Sequence, residues 1–163
     1  MIIAIYGNGI GAGKTKAASD IVDLLRTKRP RISARVTSFA QPAKWCLAVV
    51  GWGGAKTPRA REALGMICDA HRLVVDDYPA HVLSRIERQN GIVIIDDMRR
   101  QDEYDAVRRV GAPVIEVVGT RAAIDDVLEI GSGYGDYRLV NDYQDNSERI
   151  ADIVSDILMK AKV

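Results

Sequence analysis

Cysteine is scarce. Only Cys46 and Cys68 occur in 163 residues, and their separation fits neither a metal-ligand set nor a redox pair. The two are expected as buried thiols in a reducing cytoplasm. Histidine is equally sparse, and His71 and His81 are expected at the surface or packed between helices rather than in catalysis. Neither sign of charge dominates. With 23 Lys and Arg against 22 Asp and Glu the net charge is +1, so no strong field draws the chain to nucleic acid or to an anionic membrane. No apolar run approaches the length of a membrane span, no signal peptide is expected ahead of the first strand, and neither repeats nor low-complexity segments occur. What remains is the composition of one soluble domain over residues 1–163, 47% apolar and 28% charged.

The most informative stretch is MIIAIYGNGIGAGKT, from Met1 to Thr15. Ile2-Ile3-Ala4-Ile5 reads as a strand buried on both faces. Gly7, Gly9, Gly11 and Gly13 follow, then Lys14 and Thr15, and then a helix with Ala17, Ala18, Ile21, Val22, Leu24 and Leu25 on one side. A strand, a glycine-rich turn, Lys-Thr and a helix describe a phosphate cradle. Backbone N–H groups of Asn8 to Lys16, including those at Gly9, Gly11, Ala12 and Gly13, surround the phosphates, and the helix N-terminus adds positive potential. Lys14 would reach the terminal phosphates of ATP, and the Thr15 hydroxyl would bind Mg2+. Asn8 stands where the strict pattern has glycine, and it is expected to tolerate the left-handed backbone that a glycine would adopt there.

Further strands are predicted at Ile32–Thr37, Ile92–Ile95, Val114–Val118 and Tyr137–Val140. Between them lie helical segments. One spans Ala43–Val50, and another is opened by Thr57-Pro58 with Ala60, Ala63, Leu64 and Ile67 buried. A third is opened by Asp76-Asp77 and Pro79, a fourth carries Tyr104 and Val107, and a last runs from Ile150 to Ala161 behind an Asp145/Glu148 capping box. Trp45 and Trp52 are expected to pack, and Gly131–Gly135 to act as a hinge or mobile loop. Continuous apolar strands separated by helices indicate a parallel sheet covered on both faces, with ligands at the carboxyl ends of its strands. The phosphate loop, Ser38–Lys44, Asp96–Arg99 and Gly119–Arg121 all follow strands and should converge on that edge.

Asp96 and Asp97 close an apolar strand, where a carboxylate can hold Mg2+ through water; Asp97 is the expected ligand, and the other can cap a helix. Lys44, Arg99, Arg100 and Arg121 follow three of the strands, and Arg72 lies on a helix that can cover the site. Transferring a phosphoryl group between two phosphates brings polyanions together. A phosphomonoester carries about −1.5 to −2 charges, and two unit charges 4 Å apart repel by roughly 4 kcal/mol at an effective dielectric near 20. The surplus of cations therefore favours a kinase over a hydrolase.

From the first strand to the last helix the chain resembles the bacteriophage deoxynucleoside monophosphate kinases, a branch of the P-loop nucleoside monophosphate kinases. The resemblance rests on Ser38-Phe39-Ala40-Gln41-Pro42-Ala43-Lys44, on Arg61–Gly65 through His71-Arg72 and Asp77-Tyr78, on Ile95-Asp96-Asp97-Met98-Arg99 with Glu103 and Gly111, on Arg121, and on Val140-Asn141-Asp142. Gln41 stands where that family has Asp, and Tyr78 where tryptophan is common. The resemblance implies a three-layer α/β P-loop NTPase fold with a mostly parallel five-stranded sheet, helices on both faces and a helical acceptor-binding insert over 38–90. It also implies ATP- and Mg2+-dependent phosphorylation of a deoxynucleoside 5'-monophosphate in the cytoplasm, the host's if the chain is viral, by a monomer or homodimer. Lys14, Asp97, Arg99 and Arg121 would be catalytic, Thr15 and Asp97 would hold the metal, and Phe39, Lys44, Arg72, Asp77, Tyr78, Arg99 and Glu103 would bind the acceptor. The loop Gly9–Thr15 also resembles that of dephospho-coenzyme A kinase, and a non-catalytic nucleotide switch is the alternative from another class.

Overall fold

The computed structural model describes residues 1–55, 57–123 and 129–162. In chain order the elements are β1 (Ile2–Gly7), α1 (Lys14–Lys28), β2 (Ala34–Thr37), α2 (Gln41–Val49), α3 (Pro58–Val74), α4 (Tyr78–Glu87), β3 (Ile92–Ile95), α5 (Gln101–Arg109), β4 (Val114–Gly119), β5 (Tyr137–Asn141) and α6 (Ser147–Lys160). The strands form one parallel sheet in the order β2-β3-β1-β4-β5, with Ala4 level with Ile95 and with Val114.

Alternation along each strand divides the apolar residues between two cores. Ile3, Ile5, Ile94, Ile115 and Val117 meet Ile21 and Leu25 of α1 and Ile150, Val154 and Ile157 of α6. Ile2, Ala4, Val93, Ile95 and Val114 meet Val82, Leu83 and Ile86 of α4 and Val107 of α5. Both faces are covered, which is why the central strands read as unbroken apolar runs rather than as alternation. Because every strand points the same way, the loops after β1, β2, β3 and β4 all emerge at one edge of the sheet.

The caps follow the sequence in two places. Thr57 accepts the Ala60 N–H at 3.1 Å with Pro58 in the first turn of α3, and Asp77 accepts the Ala80 N–H at 3.3 Å ahead of α4. Elsewhere the structure departs from expectation. β2 is shorter than predicted and lies at the sheet edge, so Val36 is exposed. α2 starts at Gln41, two residues early. No residue of α3 is buried; Ala60, Ala63, Leu64 and Ile67 are only half-covered, because this helix packs outside the sheet layers. Cys46, carried on the outer side of α2, is exposed and Cys68 is half-buried, and Trp45 is exposed rather than packed. No Asp145/Glu148 box forms: Asp145 accepts the Ser147 N–H at 2.9 Å, and Asn146 takes the cap position without a side-chain bond. Residues 132–134 are tied down rather than loose. Buried Glu116 accepts from the Ser132 hydroxyl at 2.8 Å and the Gly133 N–H at 3.2 Å, and the Tyr6 hydroxyl accepts the Tyr134 N–H at 3.0 Å.

Candidate functional site

The turn between β1 and α1 is threaded through a space with no room for side chains. A Cβ on Gly9 would stand 2.0 Å from the Ala123 carbonyl oxygen, and one on Gly13 would stand 2.1 Å from Asn141 Nδ2. Gly13 also has φ 100°, so α1 starts from a left-handed residue. Lys14 is buried at the first position of α1, and its Nζ donates to the Gly9 carbonyl at 2.9 Å. Thr15 and Lys16 are exposed in the same turn, and the Lys16 ammonium pairs with Asp20. The N–H groups that open a helix have no carbonyl to reach within it, and here they face the loop.

Three further elements hold this loop, and the sequence alone did not point to them. Asn8 does not adopt a left-handed backbone. Instead its side chain pairs with the end of β4, accepting the Gly119 N–H at 2.9 Å and donating to the Gly119 carbonyl at 3.2 Å. Ile10 and Ala123 exchange two backbone bonds of 2.9 Å, a one-residue antiparallel bridge. From the end of β5, Asn141 Nδ2 donates to the Ala12 carbonyl at 2.8 Å and the Tyr143 hydroxyl to the Gly11 carbonyl at 3.0 Å. Arg121 lies over the Tyr143 ring, 5.2 Å from its centroid, at the rim of the loop. Residues 124–128, which follow shortly after Arg121, lie outside the described residues.

Beside this loop are the ends of β2 and β3. The ladder continues one residue past β3, where the Asp96 N–H meets the Thr37 carbonyl at 3.2 Å. Asp97 turns both oxygens onto backbone, accepting the Phe39 N–H at 2.7 Å and the Ala40 N–H at 3.1 Å. Burial raises its pKa against the pull of the nearby Lys44 charge. Lys44 Nζ donates to the buried Ser38 hydroxyl at 2.7 Å. The Tyr78 hydroxyl donates to the Phe39 carbonyl at 2.8 Å, and burial pushes its pKa far above the ordinary phenol value.

Glu103 fastens the start of α5. One of its oxygens accepts the N–H groups of Arg99 (2.9 Å) and Arg100 (3.2 Å), and the other accepts Arg72 Nη2 at 2.6 Å. Burial, followed by the charge of Asp97, pushes it up to about 7. The Arg72 side chain is 16% exposed; it also donates to Asp102 at 3.2 Å and covers the Tyr78 ring at 5.2 Å. Arg100 Nη2 donates to Asp69 of α3 at 2.6 Å, while His71 stacks on Tyr78 at 5.6 Å. The Arg99 carbonyl accepts the Glu129 N–H at 2.8 Å, so its backbone is held on both sides.

Lys14, Thr15, Lys44, Asp96, Asp97, Arg99 and Arg121 are therefore gathered on one sheet edge. Four residues expected to touch an acceptor also make contacts within the fold, and two of them, Asp77 and Tyr78, line one groove with Arg72. Phe39, Tyr78 and Glu103 are buried and form the floor beneath that edge. Asp77 caps α4 and pairs with Arg109 at 2.5 Å, at the far end of α5 from Arg99. A groove of about 360 Å³ runs past Arg72, Tyr78 and Asp102. A larger cavity of about 700 Å³, lined by Met1, Pro113 and Lys160, opens at the opposite edge of the sheet, remote from the phosphate loop.

Among solved structures, the chain superposes on the Mycobacterium tuberculosis APS kinase CysC in complex with AMPPNP and APS. The TM-score is 0.58 at 18% identity, over 96% of this chain and 97% of that one. A cysteine-to-alanine variant of the same enzyme matches with a TM-score of 0.54 at 18% identity, over 94% and 95%. The chain has the P-loop kinase fold. No family model and no curated protein matches the sequence. These two structures are of an APS kinase, and at 18% identity the likeness extends to the architecture and not to the acceptor.

Proposed function

We propose that this P-loop protein transfers the terminal phosphoryl group of ATP, with Mg2+, to a phosphate-bearing nucleotide, with a deoxynucleoside 5'-monophosphate as first choice. The observation that carries the reading is the register of β1 and β3. These adjacent parallel strands end side by side, so the loop bearing Lys14 and the turn bearing Asp96 to Arg99 open on the same rim.

In this reading the N–H groups from Gly9 to Lys16 hold the donor phosphates, and Lys14 leaves the Gly9 carbonyl to meet them. Mg2+ needs few protein ligands when it also binds phosphates and water. The exposed Thr15 hydroxyl and a strand-end carboxylate fit that need. When bound, the ion neutralises charge on the phosphates. Asp97, with both oxygens on backbone N–H groups, is better suited to fixing the Phe39–Lys44 segment. Alternation along β3 points Asp96 toward the α1 face of the sheet, the face on which Thr15 opens its helix, and this supports Asp96 as the water-mediated metal ligand. Lys44 and Arg72 grip the acceptor phosphate, and Arg99 and Arg121 neutralise the group in flight. Phe39, Tyr78 and Glu103 act as positioning residues.

A second reading, phosphorylation of a sulfated nucleotide such as APS, is favoured by the end-to-end likeness to APS kinase. Dephospho-coenzyme A is the third acceptor to try. Incubation of the chain with ATP, Mg2+ and each acceptor in turn, with products resolved by chromatography, decides among them. A new diphosphate from a deoxynucleotide is the expected result. Transfer only to APS or to dephospho-coenzyme A moves the assignment to that acceptor, and ATP binding without transfer to any of them favours the nucleotide switch.

A further inference from the structure

The net charge of +1 averages over an uneven surface. Five cations and no carboxylate occur from Arg26 to Arg35, and Arg85 and Arg88 come at the end of α4 with Glu87 between them. The fold brings these two segments together. β2 and β3 start level, with Ala34 beside Ile92, and the Ser33 carbonyl accepts the Ile92 N–H at 2.8 Å. A Cβ on Gly91 would stand 2.2 Å from that carbonyl oxygen, so the turn before β3 lies against the loop before β2. Lys28, Arg29, Arg31, Arg35, Arg85 and Arg88 therefore share one corner of the molecule. It lies where the strands begin, at the opposite edge of the sheet from the phosphate loop.

Among the described residues none of these six forms an ion pair, and Arg26 beside them meets Asp23 only at 3.5 Å. Glu87 falls on the other side of α4 from Arg85, where it lines the large cavity with Met1 and Pro113. Cations in the last turn of a helix complement its dipole, which accounts for Lys28 and Arg85. Arg31 and Arg35 lie outside the helices, so that reason does not reach them. Alternation from buried Ala34, which belongs to the α1 core, turns Arg35 to the α4 side of the sheet. Arg35 is half-buried, and its Nη2 is shut off from water with no hydrogen-bond partner. Desolvating part of a guanidinium without a partner is unfavourable, and an anion seated on its open side would offset that penalty.

We propose that this corner binds the phosphate backbone of a nucleic-acid duplex. Arginine outnumbers lysine five to one among the six, and its planar fork suits phosphate oxygens. Exposed Ser33, Gln89 and Asn90 add neutral groups of the kind that contact a phosphate backbone. Neither segment has an aromatic residue on which the bases of a single strand would stack. Nor does either expose a large apolar side chain that would enter a bilayer. A duplex held at this corner leaves the phosphate loop and the β3 turn open.

Fluorescence anisotropy with the full chain and a labelled DNA duplex of about 20 base pairs tests this, since backbone contacts carry no sequence information. Binding in the micromolar range is expected at about 50 mM salt. The logarithm of affinity should fall against the logarithm of salt with a slope of about −4, as four or five phosphate contacts give. Arg31→Ala and Arg88→Ala, both exposed positions, should each weaken binding roughly threefold to tenfold and lessen the slope by about 1, whereas Arg31→Lys should keep both near wild type. Lys14→Ala should leave the affinity within about twofold, because the phosphate loop takes no part. A wild type that leaves the duplex free at tens of micromolar overturns the proposal. So does binding that persists undiminished when Arg31→Ala and Arg88→Ala are combined, or that is lost with Lys14→Ala. Tighter binding to the matching single strand, or flotation with phosphatidylserine vesicles in place of duplex binding, also overturns it.

Discussion

Glu103 carries a large electrostatic tension for a single residue. It is buried and pushed up to about 7 from an ordinary carboxylate value of 4.5, although Arg72 and two backbone N–H groups favour its charged form. A folded-state value above the unfolded one means that the native protein holds this proton more tightly. Its contribution to stability is full below about 4.5 and is lost as the pH rises through about 7. The ionised form grips Arg72 and the start of α5 most firmly, so acceptor binding should strengthen over the window in which stability declines. Glu103→Gln is expected to flatten both trends: its acceptor KM and its denaturant midpoint should change little from about pH 5 to 8, where the wild type shows opposed slopes. The two strand-end carboxylates separate in the same way. Asp96→Asn should raise the Mg2+ concentration needed for half-maximal rate on the order of tenfold, whereas Asp97→Asn should act mainly on the acceptor KM. Residue types at this rim were legible because Lys-Thr after a glycine run and Asp-Asp after an apolar strand each have a chemical reason to be there. Their pairings were not. Nothing in the order of residues tells that Asp97 spends both oxygens on Phe39 and Ala40, or that Tyr143 reaches the Gly11 carbonyl across the fold.

Elements show the same division between what is local and what is long-range. The central strands, α1 and α6 were readable from periodicity because each buries a whole face against the sheet. α3 was misjudged, because its apolar residues have helical spacing but no sheet beneath them, and ion pairs to α5 hold it in place of a core. The link between the phosphate loop and β4 is the element-scale feature with the plainest consequence. Asn8, which departs from the glycine of the strict loop pattern, makes two side-chain bonds to Gly119 and so joins the β1–α1 turn to the β4 end. Restoring the pattern with Asn8→Gly removes both bonds and adds backbone freedom to the unfolded chain. It is expected to lower stability by about 1–2 kcal/mol, read from urea unfolding, rather than to improve the loop. An unchanged midpoint would mean that the pairing does not stabilise the native state.

Across the whole molecule, one topological fact governs the rest: five parallel strands bring the loops after β1, β2, β3 and β4 to a single rim. The class of fold could be read from the alternation of apolar strands and helices. The identity of the acceptor could not, since the positions of Phe39, Tyr78 and Glu103, proposed here to shape its site, depend on packing between α3, α4 and α5. Two anionic substrates held at one rim by a glycine loop and converging cations form the core of the functional account, and a ligand that joins them addresses it directly. A dinucleotide with an adenosine and a deoxynucleoside bridged by five phosphates should bind, by isothermal titration calorimetry with Mg2+, at least about a hundredfold more tightly than ATP, because one molecule makes both sets of contacts. Lys14→Ala and Arg99→Ala should each weaken it by about tenfold or more. A bridged dinucleotide that binds no better than ATP, or one that responds to Lys14→Ala but not to Arg99→Ala, would contradict a shared cleft.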